Sequence, residues 1–319
     1  MVNFFIQVAT TLLGEAGTAT VVGAVTVGAV VGVAAYTAVT AYAINALTKK
    51  AQKKAQAAAA SVQAAQKGYG TNVNAVAPAS DHAIIYGQQR VGGVIFYRSI
   101  TNDQQYLHTL LALAGHECEE IGTIYADNVA LTLDGNGFVT NDDFQIKDAD
   151  GNVVNSALRI NKHLGTNGQA ADADLVAEDS AWSSDHRARG VAYIYIRAEF
   201  DTSVFPQGLP TFSAIVKGKK VYDPRTSTTA WSDNAALCLR DYLISSYGLD
   251  VSGTEINDTV FSTAANTCDE IVAVRSDGPL QGVAQRRYTV NGSFVTSLPP
   301  DDIITDLVAS MAGIIYYSQ

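Results

Sequence analysis

The sequence predicts an α+β chain, with strands leading and helices following. Three observations point there. Runs of β-branched and aromatic residues recur from Ala83 to Leu133 and again from Val191 to Tyr222. The stretch between them, Thr132 to Arg189, is polar and rich in turn residues. From Asp233 onward the apolar residues recur at helical spacing. With 319 residues, 47% hydrophobic and 16% charged, the chain can bury a real core, and its length suggests two or three units.

The N-terminal stretch is an apolar segment expected to be helical. Gly17 to Thr48 carries no charge, and Glu15 and the cluster Lys49-Lys50-x-x-Lys53-Lys54 bound it. The run is longer than a bilayer requires, yet its Gly, Ala, Thr and Tyr content makes it a weak transmembrane candidate. A secretory signal fails because the cationic cluster follows the apolar run and none precedes it. Gly28 and Gly32 form one GxxxG step, which permits close helix contact. Three readings compete: a small-residue helix packed against other chains of an assembly, a segment that enters a host membrane, or disorder. Residues 51 to 67 have high helix propensity and little apolar surface, and Gly68 to Pro78 reads as a linker.

Ala83 to Tyr86 and Val94 to Tyr97 read as short strands, with Gly92-Gly93 supporting a hairpin or bulge between them. For Leu107 to Leu113 a strand covered on both faces competes with a helix. Ile121 to Leu133 is expected to lie beside it. Asp134-Gly135-Asn136-Gly137 and Asp148-Ala149-Asp150-Gly151-Asn152 invite a calcium reading, but the register fails, since Thr132 or Ile146 would stand at the first ligand position. Hairpin turns explain both, and Thr132 to Arg189 reads as an insertion between strands.

Val191 to Phe200 has apolar residues on both faces, as a central strand requires. Val216 to Tyr222, dotted with Lys217, Lys219 and Lys220, is expected as one half-solvated strand. Asp223-Pro224 ends it in a turn. Ser232 or Asp233 is the expected cap of a helix carrying Leu239, Tyr242 and Leu243, which Gly248 stops. Asn257 is the expected cap of a second helix with Val260, Phe261, Ala264 and Cys268 on its apolar side. Arg287 to Val295 reads as a strand. Pro299-Pro300-Asp301-Asp302 opens a third helix ended by Gly313, and Ile314 to Tyr317 begins another strand.

The candidate catalytic constellations are weak. His116-Glu117-Cys118-Glu119-Glu120 holds metal-capable groups, but neighbours on a strand point to opposite faces, so a solvated strand end is favoured. Ser183, Ser184, Asp185 and His186 supply triad residue types without a G-x-S-x-G elbow. Gly218-Lys219 lacks the glycine a phosphate loop needs, because Ser213 stands there. The expectation is a protein with no catalytic residues, no cofactor and no metal. Cys118, Cys238 and Cys268 lack CxxC spacing and read as buried free thiols. The net charge of -10 argues against a general or sequence-specific nucleic-acid surface.

One stretch is recognisable. Lys217-x-Lys219-Lys220-Val221-Tyr222-Asp223-Pro224-Arg225-Thr226 is followed by Ala230-Trp231-Ser232-Asp233-Asn234-x-Ala236-Leu237-x-Leu239-x-Asp241-Tyr242-Leu243 and Tyr247-Gly248-Leu249. Together these resemble the central tail-hub proteins of long-tailed bacteriophages, also called tail-tip or host-specificity J proteins. Ile256-Asn257-Asp258, Ala264 to Glu270, Arg287 to Gly292, Asp302 to Gly313, Gly190 to Tyr195 and Gly208-Leu209-Pro210 extend the similarity, so it spans about residues 80 to 319. Leu164 to Gln169 with Trp182 and His186 is similar to the inserted domain of such hubs.

The resemblance favours the strand at 107 to 113. It also implies a division of the chain: an apolar segment and linker at 1–67, a β-rich hub domain from 68–131 with 190–229, a β-rich inserted domain at 132–189, and an α/β domain at 230–319. It further implies a homotrimer at the distal end of the virion's tail, made in the host cytoplasm, that closes the tail tube and opens for tape-measure protein and DNA. The implied partners are the distal tail protein, the tape-measure protein, and other tail-tip and tail-fibre proteins. Members of the family continue well beyond this length, so receptor binding is expected in regions distal to these residues. The competing reading is a membrane-active protein that contacts or pierces the host envelope through residues 17–48.

The interaction candidates are therefore Lys217, Lys219, Lys220 and Arg225, which either meet an acidic partner surface or guard a solvated strand edge. Trp231 and Tyr242 are expected to anchor a domain junction. Gly28 and Gly32 are the candidates for helix contact.

Overall fold

The computed structural model describes residues 74–76, 81–273 and 284–316. The expectations for Gly17 to Thr48, including Gly28 and Gly32, and for residues 51 to 67 lie outside the described residues. The described chain is α+β. Its strands are β1 (Asn74–Val76), β2 (Ala83–Tyr86), β3 (Gln88–Val91), β4 (Gly93–Thr101), β5 (Tyr106–Ala114), β6 (Glu120–Ala126), β7 (Val129–Ala130), β8 (Gln145–Lys147), β9 (Val153–Ser156) and β10 (Leu158–Leu164). A one-and-a-half-turn helix α1 (Ala173–Glu178) precedes β11 (Ala192–Glu199), β12 (Phe212–Lys217), β13 (Lys220–Asp223) and β14 (Thr228–Trp231). Then come α2 (Ala235–Ile244), α3 (Asp258–Asp269), β15 (Ile271–Ala273), β16 (Ala284–Arg286), β17 (Gly292–Val295) and α4 (Pro300–Ala309).

Two sheets face each other. The first has the order β1-β4-β5-β11-β10, antiparallel apart from the parallel β1–β4 pair. The second has the order β3-β12-β6-β7. Their inner faces share one core, with Leu111, Leu158, Ile160, Ile194 and Ile196 from the first sheet meeting Ile121, Ile124, Phe212, Ala214 and Val216 from the second. The other face of the first sheet, with Leu110, Tyr193 and Tyr195, is covered by Leu175 of α1 and by Trp182. Because β10 pairs along its whole length with β11, the last strand of the polar 132–189 stretch is part of this sheet.

Several expectations change here. Tyr106–Ala114 is a strand, but β6 is not its neighbour: β5 lies between β4 and β11, while β6 pairs with β12 in the other sheet. Alternation alone tells which residues are buried and says nothing about which sheet buries them. The two Asp-Gly segments form tight turns as expected, closed by Gly137 N–H to Asp134 O and Gly151 N–H to Asp148 O. The carboxylates of Asp134 and Asp148 accept main-chain N–H groups within their own turns.

The helical end has its own core, built from α2, α3 and α4 with Val221 and, partly buried, Phe294. Strand β2 belongs to both cores. Ile85 points into the β core, whereas Ile84 and Tyr86 point into the helical one. All three are at most 1% exposed, and each such side chain contributes about 1.5–3 kcal/mol by burial. The cap of α2 is Asn234, whose side chain accepts from Ala236 N–H and Leu237 N–H and donates to Ala265 O of α3. Ser232 serves one step earlier, accepting from Asn234 N–H. Asn257 caps α3 as expected, accepting from Val260 N–H, although Val260 itself is 47% exposed. Regular pairing in the Arg287–Val295 stretch is confined to β17, which joins β2. Ile314, Ile315 and Tyr316 are exposed and form no strand.

The expected strand from Val216 to Tyr222 is two strands, broken at Gly218. There the main chain turns onto β2: Gly218 N–H donates to Gly87 O, and Lys219 N–H donates to Ile85 O. A Cβ on Gly218 would sit 2.0 Å from Ile85 O, so only glycine permits this approach. After the Asp223–Thr228 turn the chain folds back as β14, a strand the sequence reading passed over. The three cysteines are free and buried. Burial raises the Cys118 thiol to about 12 and also raises those of Cys238 and Cys268.

Candidate functional site

The basic run around Gly218 meets acids of its own chain. Lys217, at the end of β12, lies 2.6 Å from Glu120 Oε2 at the start of β6. Lys220, at the start of β13, lies 3.1 Å from Glu117 Oε1 and 3.5 Å from Glu119 Oε2. Arg225, in the β13–β14 turn, makes a forked contact with Asp223 and reaches Asp269 Oδ2 of α3 at 2.9 Å and Asn266 Oδ1 at 3.0 Å. The Asp223 carboxyl is accordingly held below the usual carboxylate range, mainly by its bond from Arg225.

Lys219 and Arg225 are the more enclosed of the four, each with a side chain 23% exposed. Lys219 Nζ lies 2.7 Å from Asp241 Oδ2 on α2, 2.7 Å from Tyr247 OH and 3.3 Å from Ser245 Oγ. Tyr86 OH donates to the same Asp241 oxygen at 2.6 Å. Burial alone would lower the Lys219 pKa, but Asp241 and Tyr247 outweigh it and hold the ammonium above its usual value. Burial, then the Asp241 charge, raises the Tyr86 phenol well above its ordinary value. Side-chain exposures of 23% for Lys219 and 12% for Asp241 set this pair apart from the rim pair Lys217–Glu120, at 38% and 51%. Rim pairs contribute roughly 0–1 kcal/mol, so Lys219–Asp241 and the similarly enclosed Arg225–Asp223 pair, at 23% and 18%, carry more structural weight than Lys217–Glu120.

Trp231 and Tyr242 take different places in this junction. Trp231 Nε1 donates to Gly87 O at 3.1 Å, tying β14 to the β2–β3 turn, and the Lys217 ammonium lies 5.8 Å from its ring centroid. Tyr242 is fully buried on α2, edge-on to Phe294 with centroids 5.4 Å apart. Tyr86, Asp241 and Tyr247 were missed as partners. Asp241 had a signal, being the lone acid on the buried side of a helix beside Leu239, Tyr242 and Leu243.

The His116 to Glu120 segment is a solvated strand end only in its acids, Glu119 and Glu120 being exposed at the start of β6. Cys118 is 0% exposed, and His116 Nε2 accepts from Ile85 N–H at 3.0 Å while its Nδ1 bonds to Glu117 O at 2.8 Å. Ser183 and His186 do come together, Oγ to Nδ1 at 3.0 Å. The same Nδ1 also accepts Ser183 N–H at 2.9 Å, so this nitrogen locks a turn. Asp185 faces Arg187 at 3.7 Å. His186 and Trp182 line a cleft of about 520 Å³ with His82, Phe96 and Leu113. Among the described residues there is no group of three or more His, Cys, Asp or Glu able to hold a metal, and no helix long and apolar enough to cross a membrane.

No protein-family model matches the sequence, and no curated protein matches it. Among solved structures the chain is similar to a chain in the virion of a native gene transfer agent particle, with a TM-score of 0.38 and 13% identity. The similarity covers 70% of this chain, which spans 55% of the length of the other.

Proposed function

We propose that this chain is a structural protein of a phage tail tip, part of a ring that closes the distal end of the tail tube and opens for tape-measure protein and DNA. The observation that carries this reading is where the recognisable residues sit. The run from Lys217 to Glu270, the part most similar to tail hubs, is spent on holding the β-rich half and the helical half of the molecule in one fixed arrangement through Lys219–Asp241, Arg225–Asp269 and Trp231–Gly87. Conserving shape by internal ion pairs and shared strands suits a part that works by geometry. Its partners would be two further copies of itself, the distal tail protein and the tape-measure protein, and its place the tip of the virion.

The test is light scattering on the purified full chain, alone and co-expressed with the tube-end proteins of the same particle, followed by cryo-electron microscopy of the particle. A threefold ring at the tube end is expected. A monomer that binds none of these proteins and instead permeabilises liposomes through residues 17–48 would replace this reading with the membrane-active one.

A further inference from the structure

One end of the five-stranded sheet carries apolar side chains that nothing in the described chain covers. Ile100 near the end of β4 is 61% exposed, Phe200 just after β11 is 72% exposed, and Val153 and Val154 at the start of β9 are 57% and 67% exposed. Hydrogen bonds gather these positions at one place. Phe200 N–H donates to Gln105 O at 2.7 Å, and the Glu199 carboxylate accepts from the Gln105 side chain at 3.0 Å and the Asn155 side chain at 2.6 Å. The β4–β5 turn, the end of β11 and the β8–β9 ribbon therefore converge on Glu199. Among the described residues the outer edge of β4 is unpaired here too, since β1 pairs with it only from Gly93 to Ile95.

The rim of this end is mainly acidic, with the exposed Arg98, two residues before Ile100 on β4, as a neighbouring cation. Asp103 lies in the β4–β5 turn, Asp148 and Asp150 in the β8–β9 turn, and Asp201 beside Phe200. No lysine or arginine pairs with any of these four among the described residues. Lys147, the nearest cation on the ribbon, is taken by Asp142 at 2.7 Å. Two copies meeting through this end would bring four aspartates from each side together with one arginine each, whereas a cation-rimmed partner would neutralise them.

We propose that this end of the sheet docks a partner protein segment whose aliphatic or aromatic side chains are flanked by lysine or arginine. Ile100, Val153, Val154 and Phe200 supply the apolar contact, and the four aspartates select the flanking charge and speed encounter.

The surface can be tested without knowing the partner and whatever the role in a tail. Two labelled peptides with the same valine and phenylalanine core, one flanked by lysines and one by aspartates, are titrated into the full chain and followed by fluorescence anisotropy. The lysine-flanked peptide is expected to bind about tenfold tighter, with the advantage shrinking as salt rises. Phe200→Ser should abolish binding, and Asp103→Lys with Asp150→Lys should reverse the preference. All three positions are exposed, so the unfolding midpoints should change little, with a small loss at Asp103, whose φ of 49° suits aspartate better than lysine, which denaturant titration checks. Equal binding of the two peptides, or undiminished binding by Phe200→Ser, overturns the proposal. Self-association of the wild-type chain that Phe200→Ser removes would assign the surface to a second copy and overturn it as well.

Discussion

The Lys219 ammonium and the Asp241 carboxylate stand 2.7 Å apart, one just before β13 and the other on α2, and with Tyr86 of the shared strand β2 they lock the two halves of the molecule. Four measurements follow from this arrangement and its surroundings.

Asp241→Asn leaves the Lys219 ammonium enclosed with only neutral oxygens around it. The expected loss is about 2–3 kcal/mol, because the surviving charge is desolvated without a counter-charge. Lys217→Ala, which removes an exposed pair, should cost less than about 1 kcal/mol. Urea unfolding of both variants reads the contrast, and equal midpoints would refute the weight given to the enclosed pair.

Gly218→Ala forces a methyl group against the carbonyl of Ile85, whose position β2 fixes from both sides. A loss of about 3 kcal/mol is expected. Gly135→Ala serves as the control, since no atom lies within 4 Å of the added carbon. Its midpoint should remain where the parent's is.

Asn234→Ala removes two cap bonds from α2 and a link to α3 together. About 2 kcal/mol is expected, roughly half from the cap and the rest from the lost buried bond to Ala265 O. Asn234→Ser keeps an oxygen for the cap but cannot donate to that carbonyl from the same position, so it should fall between parent and alanine variant in thermal unfolding.

How much of this was written in the sequence depends on the range of the interaction. Local signals read true. Asn257 caps its helix, Pro299-Pro300-Asp301-Asp302 opens another, and the Asp-Gly segments close turns, because each needs only residues a few positions away. The partners of the basic run were hidden. Nothing near Lys219 announces Asp241 or Tyr247, and nothing near Lys217 shows that Glu120 will lie across from it. The break at Gly218 was hidden for the same reason, since its cause is a carbonyl more than a hundred residues away in β2. Ser232 and Asp233 both looked like adequate caps, and the bond from Asn234 to α3 decided among them. At the cleft, Ser183 and His186 were visible as residue types, but only their geometry reveals a turn lock.

Stability should also respond to pH through His116. Its enclosure against Ile85 lowers the imidazole to about 4, from an ordinary value of 6.5. On acidification the unfolded chain therefore takes up the proton first. The contribution of the neutral imidazole is whole above about pH 6.5, falls as pH drops toward 4 and levels off below that. Burial lowers His108 as well, adding a component of the same sign. Asp223, held down by Arg225, acts in a lower window, as its stabilising effect is lost only when the pH falls through the carboxylate range. His116→Gln should flatten the stability slope between pH 6.5 and 4.5 without removing it. Denaturant midpoints across that range check this, and an unchanged slope would count against the enclosed neutral ring.

Cys118, Cys238 and Cys268 are sealed from thiol chemistry in the folded chain. Exchange with glutathione or an oxidase requires an accessible thiolate, and all three sulfurs are denied both access and ionisation. The folded chain is thus expected to keep the same covalent form in reducing and in oxidising surroundings, which thiol titration of the native and the denatured protein would read.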